Sequence, residues 1–257
     1  MRVISLSCDG IFQAAARGLF DWLIGQDAEI ICLQDLRARI PEIEDRPEFQ
    51  LEGFTAYYLD GADPHRDGVA IYTRAVPKAI IYGFGMASGE DTNGRYLQAD
   101  FESLSVVSLL APQGTESGAQ EAKERFFAAL QAHLDKITRK RRRYIYCGGW
   151  GMVGDAADVQ NAARHRGELG FRPEDEQWWR QVREQIGYAD AFRLGCGDAD
   201  EFSWWPAGTQ GKGDGWRTDT QLVSRELVRT VEYAVNYKAK AFSSHAPVIV
   251  DYDIAEL

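Results

Sequence analysis

The segment YIYCGGWGMV, at residues 144–153, joins an apolar, aromatic run to a glycine-rich turn. Tyr144–Cys147 has the aromatic and β-branched composition that is typical of a buried strand. Gly148, Gly149 and Gly151 follow directly and predict a sharp turn after the strand. Functional sites of layered α/β proteins form where strands end, so this turn marks one edge of the fold as the place to look for chemistry.

Runs with strand and helix character alternate on both sides of this segment. Strands are predicted over residues 1–7, 30–34, 56–59, 69–73, 78–82, 96–101, 104–110, 202–205, 218–223, 231–235 and 248–253. Helices are predicted over residues 12–26, 119–139 and 175–186. Hairpin-like strand series with a few long helices predict two packed sheets flanked by helices, in a single domain over residues 1–257.

Length and composition narrow the class of protein. A chain of 257 residues with 45% hydrophobic residues is long enough to bury one large core. Its net charge of −10 argues against strong nucleic-acid binding by the chain alone, because such binding rests on phosphate contacts from basic side chains. A local basic patch, or a partner that supplies positive charge, remains compatible with that balance.

Cysteine usage and the start of the chain bear on its compartment. The four cysteines are far apart and form no CxxC pair, which predicts free thiols rather than a metal site; they are Cys8, Cys32, Cys147 and Cys196. Met1 begins a strand directly, with no signal-peptide pattern, and no apolar run approaches the roughly 18 residues of a membrane span. We therefore expect a reduced, cytoplasmic protein.

Three residues are candidates for phosphoester chemistry. Asp35, Asp219 and His245 each follow an apolar run. Carboxylates at strand ends are the ligands that Mg²⁺ prefers, and an imidazole stabilises charge that develops on phosphate oxygens. Singly, each residue is a weak signal, since an acidic residue after a strand is usually a solvated turn residue. A metal site rebuilt from Asp9 and Asp35 is an open alternative.

Taken in order, several segments resemble a known family. ISLSCDGI, IICLQD, DGVAIYTR, GRYLQADF, YIYCGGWG, GWRTD and SSHAPV follow the order and spacing of exodeoxyribonuclease III-like proteins. The chain is thus similar to the endonuclease/exonuclease/phosphatase superfamily along nearly its whole length. The resemblance implies a four-layered α/β sandwich, two mixed sheets flanked by helices, with a site at one edge.

The residues at the family's site positions differ from its pattern. Asp219 and His245 match it, and Asp35 stands where the family has a glutamate. The remaining positions carry a residue without the family's functional group; they are Ser7 for asparagine, Leu110 for tyrosine, Gly149 for aspartate, Gly151 for asparagine and Ser244 for aspartate. The comparison predicts an inactive pseudo-nuclease with vestigial Asp35, Asp219 and His245, no catalytic residues, no metal and no cofactor.

One branch of the superfamily shares these differences. GRYLQADF, FSWWP and HAPVIVDYD resemble the catabolite repression control (Crc) proteins. That resemblance implies post-transcriptional control, in which the protein assembles with the RNA chaperone Hfq on A-rich mRNA to repress translation. The alternatives are a weak Mg²⁺-dependent exodeoxyribonuclease III or AP endonuclease, and a module that binds proteins only.

A dense basic run and a tryptophan pair are the candidate interaction features. The basic residues are Lys136, Arg139, Lys140, Arg141, Arg142 and Arg143. Cations at a helix C-terminus oppose the macrodipole, but six within eight positions exceed that need, so we predict RNA or partner binding here. Charge reversal at Arg141 and Arg142 is expected to leave the melting temperature nearly unchanged. Of Trp204 and Trp205, we expect one in the core and one lining the cleft.

Overall fold

Two six-stranded β-sheets face each other, and helices cover the outer face of each sheet. The computed structural model describes residues 1–114, 118–140, 142–197, 201–206, 208 and 210–255. This arrangement is the four-layered α/β sandwich with two mixed sheets that the sequence predicts.

The strands cover most of the predicted runs. They are β1 (Arg2–Ser7), β2 (Ile30–Gln34), β3 (Thr55–Leu59), β4 (Val69–Thr73), β5 (Ala79–Tyr82), β6 (Tyr96–Asp100), β7 (Leu104–Leu110), β8 (Arg143–Gly149), β9 (Ala189–Asp190), β10 (Asp219–Val223), β11 (Val231–Asn236) and β12 (Val248–Tyr252). The first sheet has the order β11-β12-β1-β2-β4-β3, and the second has the order β5-β6-β7-β8-β10-β9.

Strand direction brings the predicted site positions to one edge. In the first sheet β1 runs parallel to β2, and in the second β7 runs parallel to β8. Both pairs end at the same edge of the sandwich, where Ser7 is paired with Gln34 and Leu110 with Gly149. Strand β10 is antiparallel to β8 and begins there, with Asp219 opposite Gly149.

The core has one layer between the sheets and one layer outside each. Alternation along the strands sends Val3 and Cys32 into the space between the sheets, and Ile4 and Ile31 towards the helices of the first sheet. The aromatic strand β8 does the same for the second sheet, because Tyr146 packs under the helices while Cys147 faces the other sheet. Cys32 and Cys147 are buried free thiols, as predicted, and Cys8 is buried as well.

Seven α-helices lie within the described residues. They are α1 (Ile11–Ala16), α2 (Leu19–Ile24), α3 (Ile40–Glu44), α4 (Ala119–Thr138), α5 (Ala162–His165), α6 (Pro173–Arg180) and α7 (Ala191–Gly195). The long helix α4 confirms the prediction for residues 119–139, and its buried face includes Phe126, Leu130 and Leu134. None of the helices in the described ranges combines the length and apolarity needed to cross a membrane.

Three predicted elements differ from the structure. The helix predicted over residues 12–26 is split into α1 and α2, because Gly18 adopts a left-handed conformation (φ +83°) between them. The helix predicted over residues 175–186 begins at Pro173 and widens into a π-helix over Gln181–Ile186. Residues 202–205 form no strand; Trp204 makes isolated bridges to Trp216 and His245 instead.

Candidate active site

A cleft of about 540 Å³ opens at the edge where the two parallel strand pairs end. Six predicted site positions line it, namely Ser7, Asp35, Leu110, Gly149, Gly151 and His245. The two others lie directly beside these, since Asp219 hydrogen-bonds His245 and Ser244 hydrogen-bonds Asp9 of the cleft wall. Residues up to 238 positions apart in the sequence are therefore gathered in one place.

Asp219 and His245 form an acid–histidine pair below the cleft. His245 Nδ1 lies 2.7 Å from Asp219 Oδ2, and the Asp219 side chain is only 3% exposed. Hydroxyl groups hold the carboxylate from both sides: Ser7 donates to Oδ1 at 3.0 Å, and Ser203 donates to Oδ2 at 2.8 Å. Because Asp219 is hydrogen-bonded to Nδ1, Nε2 on the other side of the ring is the nitrogen available for proton transfer in the cleft.

Surrounding charges favour the protonated form of His245. Burial lowers the pKa of His245, but the Asp219 carboxylate raises it through charge and a hydrogen bond, and Asp9 and Asp35 raise it further, so that the net pKa is above its ordinary value. The Trp204 ring stacks on the imidazole with 6.0 Å between ring centroids and 27° between planes. The imidazole is therefore oriented, and its protonated form is favoured relative to that of a free histidine.

A second acidic pair encloses an arginine on the cleft wall. Arg37 donates from Nε to Asp35 Oδ1 (3.1 Å) and from Nη2 to Asp35 Oδ2 (2.6 Å). The same Nη2 lies 3.4 Å from Asp9 Oδ1, while Asp9 Oδ2 accepts bonds from the Ser244 backbone and hydroxyl. Burial raises the pKa of Asp9, but His245, Ser244 and Arg37 together hold it below its ordinary value.

Backbone hydrogen bonds fix the three loops that carry these side chains. The loop after β1 is tied to the loop after β2 by Gly10 N–H donating to the Asp35 carbonyl at 2.9 Å. The loop before β4 is tied to the same segment by Arg37 N–H donating to the Asp67 carbonyl, also at 2.9 Å. Asp67 is in turn held by Arg95 at 3.0 Å. The cleft wall is thus set before any ligand arrives.

Gly149 and Ser7 are matched in shape. A Cβ at position 149 would lie 2.5 Å from Ser7 Oγ and 3.4 Å from Leu110 Cδ1. The Ser7 hydroxyl thus fills the space of a side chain at 149 and uses that position to hold Asp219. Gly151 is in the left-handed region (φ +61°), and a Cβ there would collide with the amide of Gln113.

The donor set does not fit the divalent metal ion that the family resemblance implies. The described residues contain no group of three or more histidine, cysteine, aspartate or glutamate side chains arranged to hold a metal ion. The two carboxylates with a suitable position, Asp9 and Asp35, both pair with the Arg37 guanidinium. A cation between them would meet a positive charge already in place.

The basic run lies at the opposite end of β8 from the cleft. Seven residues of strand separate its two ends by about 20 Å. Lys136, Arg139 and Lys140 are exposed at the end of α4, and Arg141 lies outside the described residues. Whether these residues bind RNA or a partner remains a prediction.

Arg142 has a structural role that the sequence did not indicate. Its Nε donates to Ser105 Oγ, and its Nη2 donates to the carbonyls of Phe101 and Leu104 at 2.8 and 3.0 Å. These bonds tie the start of β8 to the β6–β7 turn. The expectation that charge reversal at Arg142 leaves the melting temperature unchanged is therefore at odds with the structure.

The sequence did not identify Arg37 as a site residue. It did predict that one of Trp204 and Trp205 is buried and the other lines the cleft. The signal for Arg37 was a cation two residues after Asp35, which reads as an ordinary surface residue until Asp9 is seen beside it. Trp205 is buried, whereas Trp204 lines the cleft, as predicted for the pair.

Comparison with known proteins agrees with this fold. The model of the Endonuclease/Exonuclease/phosphatase family matches residues 8–245. The chain belongs to this family. It is 26% identical over 254 residues to the exodeoxyribonuclease of Bacillus subtilis (strain 168), covering 96% of this chain and 98% of the relative. It is 32% identical over 206 residues to exodeoxyribonuclease III of Haemophilus influenzae, covering 72% and 76%.

Solved structures show the same fold. The AP endonuclease of Archaeoglobus fulgidus superposes with a TM-score of 0.86 over 99% of this chain and all of that chain, at 18% identity. The 3'-5' exonuclease of Neisseria meningitidis gives a TM-score of 0.84 at 19% identity, again over 99% of this chain.

The prediction that the family member is not an enzyme is wrong. Relatives that match over 96% of this chain are nucleases, so the similarity points to an enzyme. The prediction rested on comparing positions one at a time. The structure shows that Ser7, Ser244 and Gly149 are integrated into the network around Asp219 and Asp9, where they leave an ordered, charged cleft.

Proposed function

We propose that this family member hydrolyses phosphodiester bonds of DNA, in the manner of an exodeoxyribonuclease III or AP endonuclease. The observation that carries the proposal is the buried Asp219–His245 pair, 2.7 Å apart, with His245 lining the same cleft as Asp9, Asp35 and Arg37. The nuclease relatives in bacteria and animals support the same class of substrate.

The pair suits proton transfer to a leaving oxygen. Water attacks phosphorus, a new P–O bond forms, and the ester P–O bond on the far side breaks. The imidazolium of His245 donates its Nε2 proton to the departing oxygen, while the Asp35 carboxylate takes the proton that the water loses. Asp219 keeps the ring in place and stabilises its positive charge. A positioned acid of this kind contributes about 10²–10⁴ in rate.

The test is cleavage of duplex DNA that carries either an abasic site or a recessed 3' end, in Mg²⁺ and in EDTA. We expect cleavage by the wild type in at least one condition and a loss of about 10²–10⁴ in His245→Ala and Asp219→Asn. Asp135→Asn, on the exposed side of α4, is the control and retains the wild-type rate. Equal rates in His245→Ala and wild type, or no cleavage of any substrate, would refute the proposal.

A second proposal concerns partners. We propose that the exposed basic segment (Lys136, Arg139 and Lys140) contacts the RNA chaperone Hfq or A-rich mRNA in the cytoplasm, in a joint assembly that represses translation during catabolite repression control. The observation that favours it is a cluster of exposed cations away from the cleft, on a chain with a net charge of −10.

Assembly with Hfq and an A-rich RNA tests the second proposal. Replacing the three cations together by glutamine is expected to weaken the complex at least about tenfold, because each substitution removes a phosphate contact. The salt dependence of binding is expected to become less steep for the same reason. The matched control neutralises three exposed cations elsewhere, namely Arg46, Arg229 and Lys240. Equal assembly by both triple variants would exclude the basic segment as the contact. Equal assembly with and without RNA would contradict a joint complex that includes the mRNA.

A further inference from the structure

We infer that Arg37 takes the place of a metal ion in this cleft, so that its guanidinium, rather than a bound divalent cation, contacts the substrate phosphate. The inference rests on the proposed phosphodiesterase function and identifies the group that binds the scissile phosphate. It makes the chemistry independent of divalent metal ions, in contrast to what the family resemblance implies.

The position of the guanidinium is the first argument. Arg37 lines the same cleft as His245 and its side chain is 44% exposed, so a ligand in the cleft reaches it. Within the described residues its bonds to Asp35 and Asp9 use Nε and Nη2. Nη1 is therefore the nitrogen available to a phosphate oxygen. A planar guanidinium with several fixed donors is the side chain best suited to phosphate recognition.

Charge balance is the second argument. Asp9 and Asp35 bring two negative charges to the cleft wall, and both face Arg37. A divalent ion between the carboxylates would have to displace the guanidinium or accept its repulsion at short range. A phosphate group has no such conflict with the guanidinium, because Arg37 lines the cleft with its side chain partly exposed and offers a positive charge to an anion there.

The backbone of Arg37 is the third argument. Arg37 has a φ of +50°, a left-handed conformation that is unusual for a side chain of its size, and Asp9 and Asp35 have φ values of +53° and +55°. The conformation is maintained by the neighbouring loop, which accepts the Arg37 N–H at Asp67 and the Leu36 N–H at Gly68. The guanidinium is therefore aimed into the cleft by the fold itself rather than by a ligand.

Binding of Mn²⁺, followed by electron paramagnetic resonance, tests the inference without depending on activity. Wild type is expected to show no specific Mn²⁺ site. Arg37→Gln frees both carboxylates and is expected to bind Mn²⁺ at least about tenfold more tightly than wild type. Arg39→Gln, a comparably exposed neighbour (41%), is the matched control and stays like wild type. Equal Mn²⁺ binding in wild type and Arg37→Gln, lost in Asp35→Asn, would overturn the inference.

Binding of inorganic phosphate provides the complementary measurement. Arg37→Gln is expected to weaken phosphate binding about tenfold, with partial recovery in Arg37→Lys, which keeps the charge but not the planar fork. Thermal melts of both variants establish that they are folded. Unchanged phosphate binding in folded Arg37→Gln would contradict the inference.

The DNA cleavage assay separates this inference from the proposed function. Cleavage that persists in EDTA supports both. Cleavage that strictly requires Mg²⁺ would overturn the role of Arg37 while the proposed function stands. If no DNA is cleaved under any condition, the proposed function fails, and the Mn²⁺ and phosphate measurements still decide whether Arg37 replaces a metal ion.

Discussion

His245 connects the chemistry of the cleft to the stability of the fold. Its pKa is raised in the folded protein, mainly by Asp219 acting against burial, so the folded state binds its proton more tightly than the unfolded state. The resulting stabilisation is complete below the unfolded pKa of about 6.5 and is lost as pH rises through the higher folded value. The same imidazolium is the proposed acid, so activity and stability fall in one pH range.

The first prediction is that the free energy of unfolding falls more steeply in wild type than in His245→Gln as pH rises from about 6 to about 9. Urea denaturation across this range measures it. His165, whose pKa is raised mainly by its hydrogen bond to Asp214, contributes with the same sign in both proteins and cancels in the difference. Parallel curves for the two proteins would show that Asp219 does not hold a charged His245.

Residue patterns alone located Asp219, His245 and Asp35 but not Arg37, the cation that pairs with Asp35 and Asp9. Each follows an apolar strand, which is visible in the sequence. Arg37 is different, because its meaning depends on Asp9, 28 residues earlier in the chain. Contacts of that kind arise from the parallel pairing of β1 and β2 and have no local signature. Position-by-position comparison with a family pattern therefore overestimated what the cleft had lost.

Strands β1 and β8 meet across the sandwich at Ser7 and Gly149. The second prediction is that Gly149→Ala lowers the free energy of unfolding by about 1–3 kcal/mol, because its Cβ would overlap Ser7 Oγ. In Ser7→Ala that oxygen is gone, so adding Gly149→Ala there is expected to cost much less. Denaturant unfolding of the four proteins in a double-mutant cycle measures the coupling. If the two substitutions lower the free energy of unfolding additively, a side chain at position 149 does not clash with Ser7 Oγ.

The start of β8 is secured by Arg142, which carries the third prediction. Arg142→Ala is expected to lower the free energy of unfolding by about 1–3 kcal/mol, since it leaves the Phe101 carbonyl without its side-chain donor and removes one of the two hydrogen bonds to the Leu104 carbonyl. Arg139→Ala removes an exposed pair with Asp135 and is expected to change it by less than about 0.5 kcal/mol. Melting temperatures of the two variants provide the check, and equal values would contradict the structural role of Arg142.

Helices and strands whose position follows from hydrophobic periodicity were predictable from the sequence. Features that depend on local backbone conformation were not. Helix α4 was recognisable because its buried residues recur at helical spacing, and the strands because they are short and apolar. The break at Gly18 and the π-helix after Arg180 depend on how the chain packs at those points. Residues 202–205 have strand composition, but their partner is a short loop at Trp216 rather than a sheet.

At the scale of the whole molecule, the cleft and the basic segment lie at opposite ends of β8, about 20 Å apart. Sites this far apart with no shared contacts usually respond to mutation independently. On a chain with a net charge of −10, both places carry exposed basic side chains, namely Arg37 in the cleft and Lys136, Arg139 and Lys140 in the basic segment. Each is therefore expected to bind its own anionic partner.

The final prediction concerns the number of DNA phosphates contacted by the cleft and by the basic segment, which the salt dependence of binding measures. The logarithm of the DNA association constant falls with the logarithm of salt concentration, with a slope of about −0.9 for each phosphate neutralised. Arg37→Gln is expected to reduce that slope by about 0.9, because one contact is removed. Neutralising the basic segment is expected to leave the slope for duplex DNA unchanged, since DNA bound in the cleft does not reach it. Fluorescence anisotropy titrations over a series of salt concentrations give both slopes. A decrease of about 2.7 in the triple variant would mean instead that the duplex runs along β8 and occupies both places at once.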